Sequence, residues 1–284
     1  MTVMTATRAT TLPSGEAIPV LGQGTWHMAE DPWRRREEIA ALRLGIDLGL
    51  TLIDTAEAYA DGGAERLVGE AIKGRRDEVF LVSKVLPQNA TRRGTQAACN
   101  RSLERLGVWE IDLYLLHWRG LIPLEETLDA FDTLVGAGKI RHWGVSNFDV
   151  SDMQELVDLP GGARVATDQV LYNLTRRGIE YDLLPWCQHS GLPIMAYSPI
   201  EQGRVLRHST LRIVAERHTG VTPAQVALAW VLRQDAVCAV PQSGKPEHVR
   251  ENRGALDVRL TSQDLADLDL AFPPPDVKQP LATI

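Results

Sequence analysis

The 284-residue chain is predicted to fold as an α/β protein, a (β/α)8 TIM barrel. Short apolar runs recur about every thirty residues, stretches with helical periodicity lie between them, and no linker or low-complexity segment divides the chain. Regular alternation of this kind implies parallel strands joined by right-handed crossovers. We therefore expect a single domain over residues 1–284, and a closed barrel in preference to an open, doubly wound sheet.

The predicted elements begin with a β-hairpin over residues 10–22, two short extended pieces around Pro13-Ser14-Gly15 that can cover one end of the barrel. Eight strands are expected at 20–25, 50–54, 79–84, 111–117, 140–146, 164–169, 192–197 and 236–243. Helices are expected between them at 35–50, 63–74, 91–107, 124–138, 151–159, 180–191 and 222–234. Gly49 and Gly107 fall just after periodic segments and indicate helix ends, and Thr222-Pro223 indicates an N-cap followed by a first-turn proline.

The composition is typical of a soluble globular protein. Apolar residues make up 44% of the chain and charged residues 24%, and the net charge of −7 disfavours nucleic-acid binding. The first 22 residues lack a signal-peptide pattern, and eighteen apolar residues never run together, so neither secretion nor membrane insertion is expected. Cys99, Cys187 and Cys238 lie far apart without a CxxC pair, which favours the cytoplasm and predicts no metal site.

Polar residues lie at the carboxyl ends of seven predicted strands, and in a barrel those ends converge on one rim. They are Asp54, Lys84, His117, Ser146 with Asn147, Gln169, Tyr197 with Ser198, and Gln242 with Ser243. An unpaired charge buried at the end of an apolar strand costs several kcal/mol or more, so Asp54 requires a cationic partner. Lys84, at the end of the adjacent strand, is expected to be that partner.

Tyr59 follows Asp54 in the next loop and is expected to lie over this ion pair. Because the Lys84 ammonium favours the phenolate, we expect it to lower the pKa of Tyr59 from about 10. His117 can donate a hydrogen bond to the oxygen of a carbonyl substrate and stabilise charge that develops there. These residues predict protonation of a carbonyl oxygen, which requires a second reactant at the carbonyl carbon.

Motifs spread in order over nearly the whole chain resemble those of the aldo-keto reductases. They are DTAEAY at 54–59, VSK at 82–84, LLHW at 115–118, GVSN at 144–147, DQVLYN at 168–173, AYSP at 196–199 and VPQSGKPEHVREN at 240–252. Finer features such as GQGTWHMAEDP and RGIEYDLLPWCQ resemble a bacterial subgroup that includes methylglyoxal reductases. The family binds NADPH without a GxGxxG motif, and this chain has none after a strand.

The resemblance implies hydride transfer from NADPH to an aldehyde or ketone. It assigns the proton donor to Tyr59, the pair that tunes it to Lys84 and Asp54, and the orienting group to His117. It further implies nicotinamide contacts at Ser146, Asn147, Gln169 and Tyr197, with the Tyr197 ring stacked on the nicotinamide face, and a cofactor contact at Ser198. The adenosine end is implied to lie against Ser243, Glu251 and Asn252.

Cofactor choice is expected to be less strict than in typical family members. Gln242 and His248 stand where NADPH-selective reductases carry a lysine and an arginine for the 2′-phosphate, so NADH is possible as well. An arginine is a permanently charged fork for phosphate, whereas a histidine is mostly neutral at pH 7. Lys245 or Arg250 can compensate in part.

The substrate pocket is implied to include Trp26 and Trp118, at the ends of the first and fourth strands. Arg119 is interpreted as a solvated loop residue; the alternative is that it faces the pocket and favours carboxylate-bearing substrates. The loops after His117 and Ser198 are short, which indicates an open site suited to small aldehydes and 2-oxoaldehydes such as methylglyoxal.

Two other functions remain open at this point. Lys84 could form a Schiff base in an aldolase, although Asp54 would keep the amine charged. The barrel could also be a non-catalytic, nucleotide-sensing regulatory subunit, although all four catalytic residue types are present. We expect a monomeric enzyme in the cytoplasm that binds neither nucleic acid nor membrane, and the physiological substrate and direction stay open.

Overall fold

Ten strands lie in the described part of the chain, residues 8–284 of a computed structural model. They are β1 (Ala9–Thr11), β2 (Ala17–Pro19), β3 (Gln23–Gly24), β4 (Leu52–Asp54), β5 (Phe80–Val85), β6 (Ile111–Leu116), β7 (Ile140–Ser146), β8 (Asp168–Leu171), β9 (Ile194–Tyr197) and β10 (Val237–Ala239). Residues 1–7 lie outside the described residues. The domain predicted over 1–284 and the absence of a signal peptide predicted for the first 22 residues both extend to this segment.

Strands β3 to β10 form one parallel sheet in chain order, and its two edges join. The Gly22 amide donates to the Ala239 carbonyl at 2.8 Å, and the Ala239 amide donates to the Val20 carbonyl at 2.8 Å. Gly24 lies on this seam, and a Cβ atom there would be 2.6 Å from the Val240 carbonyl oxygen, so only glycine permits the close approach. The sheet is a closed barrel, which confirms the predicted fold class.

Ten α-helices surround the barrel within residues 8–284. They are α1 (Arg35–Asp47), α2 (Gly63–Ala71), α3 (Arg92–Leu106), α4 (Leu124–Gly136), α5 (Val150–Asp158), α6 (Leu183–His189), α7 (Ser209–Glu216), α8 (Pro223–Val231), α9 (Pro246–Gly254) and α10 (Ser262–Ala271). The seven predicted helices are all present, whereas α7, α9 and α10 were missed. Helix α9 closes the ring, because it packs against both α8 and α1.

Strand boundaries differ from the prediction by up to four residues, and the two largest differences have local reasons. The sixth barrel strand was expected at 164–169 but begins at Asp168, because a turn of 3-10 helix occupies Gly162–Arg164. The eighth was expected at 236–243 but ends at Ala239, shortly before Pro241, which has no amide hydrogen to donate.

The predicted hairpin is present and covers the amino-terminal end of the barrel. Strands β1 and β2 pair antiparallel, with Thr10 opposite Ile18. Ile18 is fully buried and packs with Leu52 and Phe80, which begin their strands. The opposite end of the barrel, where the strands finish, is left open for a site. None of the helices in the described range has the length and apolar character needed to cross a membrane.

Candidate active site

The carboxyl ends of the barrel strands surround a cleft with a volume of about 690 Å³. Most of the residues singled out in the sequence line it: Trp26, Asp54, Tyr59, His117, Trp118, Ser146, Asn147, Gln169, Tyr197, Ser198, Gln242, His248, Glu251 and Asn252. Lys84 lies beneath its floor and is fully buried. Ser243 is buried beside the cleft without lining it, and its hydroxyl lies 3.2 Å from the Lys245 carbonyl oxygen.

Lys84 and Asp54 form a buried ion pair, as the adjacent strands β4 and β5 require. The Lys84 Nζ lies 2.7 Å from Asp54 Oδ1 and 2.8 Å from Oδ2. It also donates to the Thr55 carbonyl at 2.9 Å and lies 3.2 Å from the Tyr59 hydroxyl. An ammonium has three hydrogens, so these three partners use its full donor capacity.

The surroundings keep Lys84 charged. Burial by itself acts to lower the pKa of Lys84, but the adjacent Asp54 carboxylate and the hydrogen bonds to Asp54 and Tyr59 outweigh burial and raise that pKa above its ordinary value. A Schiff base forms from a neutral amine that a carbonyl can reach. A buried ammonium with every hydrogen engaged is poorly suited to that role.

The pKa of Tyr59 differs from the expectation drawn from the sequence. Burial raises this pKa above 10, and the Lys84 ammonium offsets only part of the rise, so the expected lowering was wrong in direction. Sequence proximity revealed the ammonium but not the extent to which the phenol is removed from water. Tyr59 is therefore a neutral phenol at pH 7 with a proton to give, and Lys84 at 3.2 Å can stabilise the oxygen once that proton leaves.

His117 lies edge-on to Tyr59, with ring centres 5.8 Å apart. Burial and, to a smaller extent, the Lys84 charge lower the pKa of His117 to about 3, so the ring is neutral at pH 7. Its Nδ1 atom has no hydrogen-bond partner among residues 8–284. A neutral imidazole carries one N–H, and His117 can donate it to a carbonyl oxygen placed between its ring and Tyr59.

His117, which is half-buried, makes the free energy of unfolding depend on pH. The folded protein keeps the ring neutral down to about pH 3, whereas the unfolded chain binds a proton below about pH 6.5. The free energy of unfolding should therefore fall as the pH drops through this window, by about 2 kcal/mol from His117 between pH 7 and pH 5. Urea unfolding at pH 7 and pH 5 measures this loss. In His117→Gln the loss of unfolding free energy between the two pH values should be smaller than in the native protein by about 2 kcal/mol.

Exposed His189 supplies the matched control, because His189→Gln should keep the pH dependence of the native protein. An equal pH dependence in the native protein and in His117→Gln would contradict a His117 ring that stays neutral in the folded protein.

A continuous series of hydrogen bonds links the amide-bearing residues across the floor of the cleft. Gln169 Nε2 donates to Asp54 Oδ1 at 2.8 Å, and Ser146 Oγ donates to the Gln169 carbonyl at 2.8 Å. Asn147 donates to the His117 carbonyl at 3.1 Å and accepts from the Tyr197 hydroxyl at 2.8 Å. Asn147 holds a left-handed backbone conformation, with φ of 61°. These contacts hold amide and hydroxyl groups in place beside the ion pair. Groups of these types can form hydrogen bonds with a carboxamide.

Several lining residues were missed because they come from loops, short 3-10 turns, the first turn of α8 and the chain end: His27, Ile200, Gln202, Leu206, Ala224 and Ile284. The side chain of His27 is largely exposed and contacts Glu30 at 2.7 Å, and its ring packs against Trp26 at the cleft edge. Periodicity carries no signal for loop residues, since only the fold determines which of them lie over the rim. Arg119 binds Asp152 and Glu155 and does not line the cleft.

The chain belongs to the aldo/keto reductase family, whose model matches residues 20–271. It is an enzyme of the oxidoreductase class. Among curated relatives, it is 54% identical to the methylglyoxal reductase YeaE of Escherichia coli over 270 residues, which cover 93% of this chain and 95% of that protein. It is 33% identical to the glyoxal reductase of Bacillus subtilis over 261 residues, which cover 91% and 90%. The predicted family and the resemblance to its methylglyoxal reductase-like subgroup are confirmed.

Solved structures agree with this assignment. An aldo/keto reductase from Klebsiella pneumoniae, crystallised with NADP and acetate, superposes with a TM-score of 0.94 at 50% identity and covers 98% of this chain and 100% of its own. A structure from the same organism in complex with NADPH also gives a TM-score of 0.94 at 50% identity, covering 99% and 100%.

Proposed function

We propose that this enzyme reduces small aldehydes and ketones to alcohols with NADPH, and that 2-oxoaldehydes such as methylglyoxal are among its substrates. The arrangement of Tyr59, Lys84 and Asp54 beside His117 carries the proposal. It supplies a neutral acid, a fixed cation next to that acid, and a neutral hydrogen-bond donor, all around one point of the cleft.

Each protein group has a defined part in the reaction. When NADPH is bound, its nicotinamide supplies the hydride that the carbonyl carbon accepts. His117 orients the substrate by a hydrogen bond to the carbonyl oxygen, and Tyr59 transfers its phenolic proton to that oxygen as negative charge develops. Lys84 stabilises the resulting phenolate, and Asp54 keeps Lys84 charged and in place.

The cleft is large enough and suitably lined for a dinucleotide. In the proposal, Ser146, Asn147 and Gln169 hold the nicotinamide carboxamide, and the Tyr197 ring stacks on the nicotinamide. The rest of the cofactor extends along residues that continue the cleft toward α9: Ser198, Gln242, Ser243, His248, Glu251 and Asn252.

The substrate class rests on the pocket and on the relatives. Trp26 and Trp118 line the cleft near His117, and Trp118 is 41% exposed, so the substrate side is open and aromatic. Two relatives are named for methylglyoxal and glyoxal reduction, both of which are small 2-oxoaldehydes. An open aromatic pocket gives a small substrate sufficient contact and gives a bulky one little enclosure.

The other candidate functions are less well supported. A Schiff-base aldolase would need Lys84 as a free amine, whereas its three hydrogens are engaged. A nucleotide-sensing barrel would not need a neutral Tyr59 beside a buried cation. The proposal places the enzyme in the cytoplasm as a monomer that binds neither nucleic acid nor membrane, in keeping with three buried, unpaired cysteines and the net negative charge.

Initial rates of NADPH oxidation test the proposal, with methylglyoxal, a bulky steroid ketone and no substrate compared. We expect turnover with methylglyoxal at a kcat/KM at least about tenfold above that for the steroid, since the open pocket encloses only small carbonyls well. Binding of NADPH without consumption in any mixture would instead favour the sensing role. Trapping of substrate on Lys84 by borohydride would favour the aldolase.

A further inference from the structure

If the proposed NADPH dependence holds, the far end of the cofactor cleft must bind a negatively charged phosphate. A 2′-phosphate is the group that distinguishes NADPH from NADH, and it requires cations. Gln242 and His248 line this end of the cleft in place of the expected lysine and arginine. Cations from other positions must therefore serve, or the protein would distinguish the two cofactors poorly.

Arg34 lies against the loop that follows Gln242. It ends the short turn Pro32–Arg34 before α1, and α1 packs on α9. A methyl group built on Gly244 would lie 3.0 Å from Glu38 Cγ and 3.1 Å from Arg34 Nη2, so the side chains of Glu38 and Arg34 both lie against the backbone at Gly244. Arg34 comes from the first βα unit and is remote in sequence from the motif at 240–252, which explains why sequence inspection did not include it.

Lys245 is the second cation at this place, immediately before α9. It is the N-cap residue of α9 and has an extended backbone, and His248 and Asn252, which line the cleft, follow it by three and seven residues. Arg250 lies two residues from His248 and so projects from another face of α9. Of the two basic residues left open by the sequence, Lys245 is thus the one whose position along α9 corresponds to that of the lining residues His248 and Asn252.

Arg34 and Lys245 both have side-chain N–H groups that no residue among 8–284 engages. Among residues 8–284, neither Arg34 nor Lys245 forms an ion pair, and neither donates a side-chain hydrogen bond. Two carboxylates border the same region. Glu38 is buried and accepts from the Ala29 amide at 3.0 Å, and Glu251 lines the cleft. Their charges oppose a bound anion, so a net attraction for phosphate needs Arg34 and Lys245 together.

We propose that Arg34 and Lys245 bind the 2′-phosphate of NADPH and replace the lysine and arginine that this chain lacks at Gln242 and His248. The Arg34 guanidinium presents paired N–H groups that match two phosphate oxygens, and Lys245, the residue after Gly244, adds a point charge. Preference for NADPH over NADH then depends on a residue contributed by the first βα unit.

Fluorescence titrations with NADPH and with NADH test this assignment without relying on turnover. Arg34→Ala and Lys245→Ala should each raise the Kd for NADPH about tenfold, as loss of a charge-assisted hydrogen bond does, and leave the Kd for NADH within about twofold. The double variant should bind both cofactors about equally. Arg36→Ala and Arg250→Ala are matched controls, being exposed basic residues two positions from Arg34 and His248, and should bind as the native protein does.

The possible outcomes separate this inference from the proposed function. If the native protein prefers NADPH and the two variants retain that preference, or if they weaken NADH as much as NADPH, the assignment of Arg34 and Lys245 is overturned and the proposed reductase stands. If the native protein binds the two cofactors equally well, the assignment is again overturned. If it binds neither, the proposed function fails and the assignment fails with it.

Discussion

Replacing Tyr59 with phenylalanine is expected to lower kcat for methylglyoxal reduction at least about a hundredfold, because the variant has no general acid beside the carbonyl oxygen. The ring and its packing over Lys84, whose Nζ lies 4.9 Å from the ring centre, remain in the variant. The Kd for NADPH should therefore stay within about twofold of the native value, since the lost hydroxyl takes part in proton transfer and not in cofactor binding. Steady-state kinetics and a fluorescence titration measure the two quantities on the same preparation.

Tyr181→Phe is the matched control for this experiment. Tyr181 is 48% exposed and does not line the cleft, so its hydroxyl can be removed without effect on kcat. If Tyr59→Phe had the same kcat as the native protein, Tyr59 could not be the proton donor.

The second large effect is expected from Lys84→Met, which has nearly the same length but no charge. The change leaves the Asp54 carboxylate buried without its cation, and breaking a buried pair in this way typically costs about 3–5 kcal/mol of unfolding free energy. It also removes the cation that stabilises the Tyr59 phenolate, so kcat should fall at least about a hundredfold as well. Urea unfolding and steady-state kinetics give the two results separately.

A double variant separates charge from catalysis at this pair. Lys84→Met combined with Asp54→Asn removes both charges, and replacing a buried pair outright is far less costly than leaving one partner. Stability should recover in large part while kcat stays low. Lys73→Met, at an exposed lysine, is the control and should behave as the native protein does. Native kcat in Lys84→Met, or recovery of kcat together with stability in the double variant, would contradict the role assigned to Lys84.

Much of the barrel could be predicted from the sequence because its determinants are local. Each barrel strand is a short apolar run, and parallel strands place their carboxyl ends at one rim. That rule alone brings Asp54, Lys84 and His117 together, since each lies within one residue of the end of one of three consecutive strands. The ion pair followed from the cost of an unpaired buried charge, before any geometry was known.

The missed features depend on the tertiary structure. Helix α9 begins with the polar run PEHVREN, and the buried set within it includes only Val249 and Asn252, so its apolar periodicity is weak. Arg34 reaches the loop at Gly244 only because the barrel closes and brings α1 against α9. Both depend on contacts between distant parts of the chain.

The pKa of Tyr59 was mispredicted for a related reason. The sequence indicated a nearby ammonium, which lowers the pKa of a phenol, and the structure has that ammonium 3.2 Å from the hydroxyl. Burial of the phenol acts in the opposite direction and is the larger effect. How deeply a loop residue is buried depends on how the loop folds over the rim, and no local pattern reports it.

The most direct measurement of the central claim is the fate of deuterium from NADPH in which both hydrogens at nicotinamide C4 are deuterium. If the enzyme transfers hydride to the carbonyl carbon while Tyr59 protonates the oxygen, the alcohol formed from methylglyoxal carries one deuterium on its carbinol carbon and an exchangeable hydrogen from solvent on its oxygen. Product without deuterium on that carbon, or no alcohol at all, would contradict carbonyl reduction by this site.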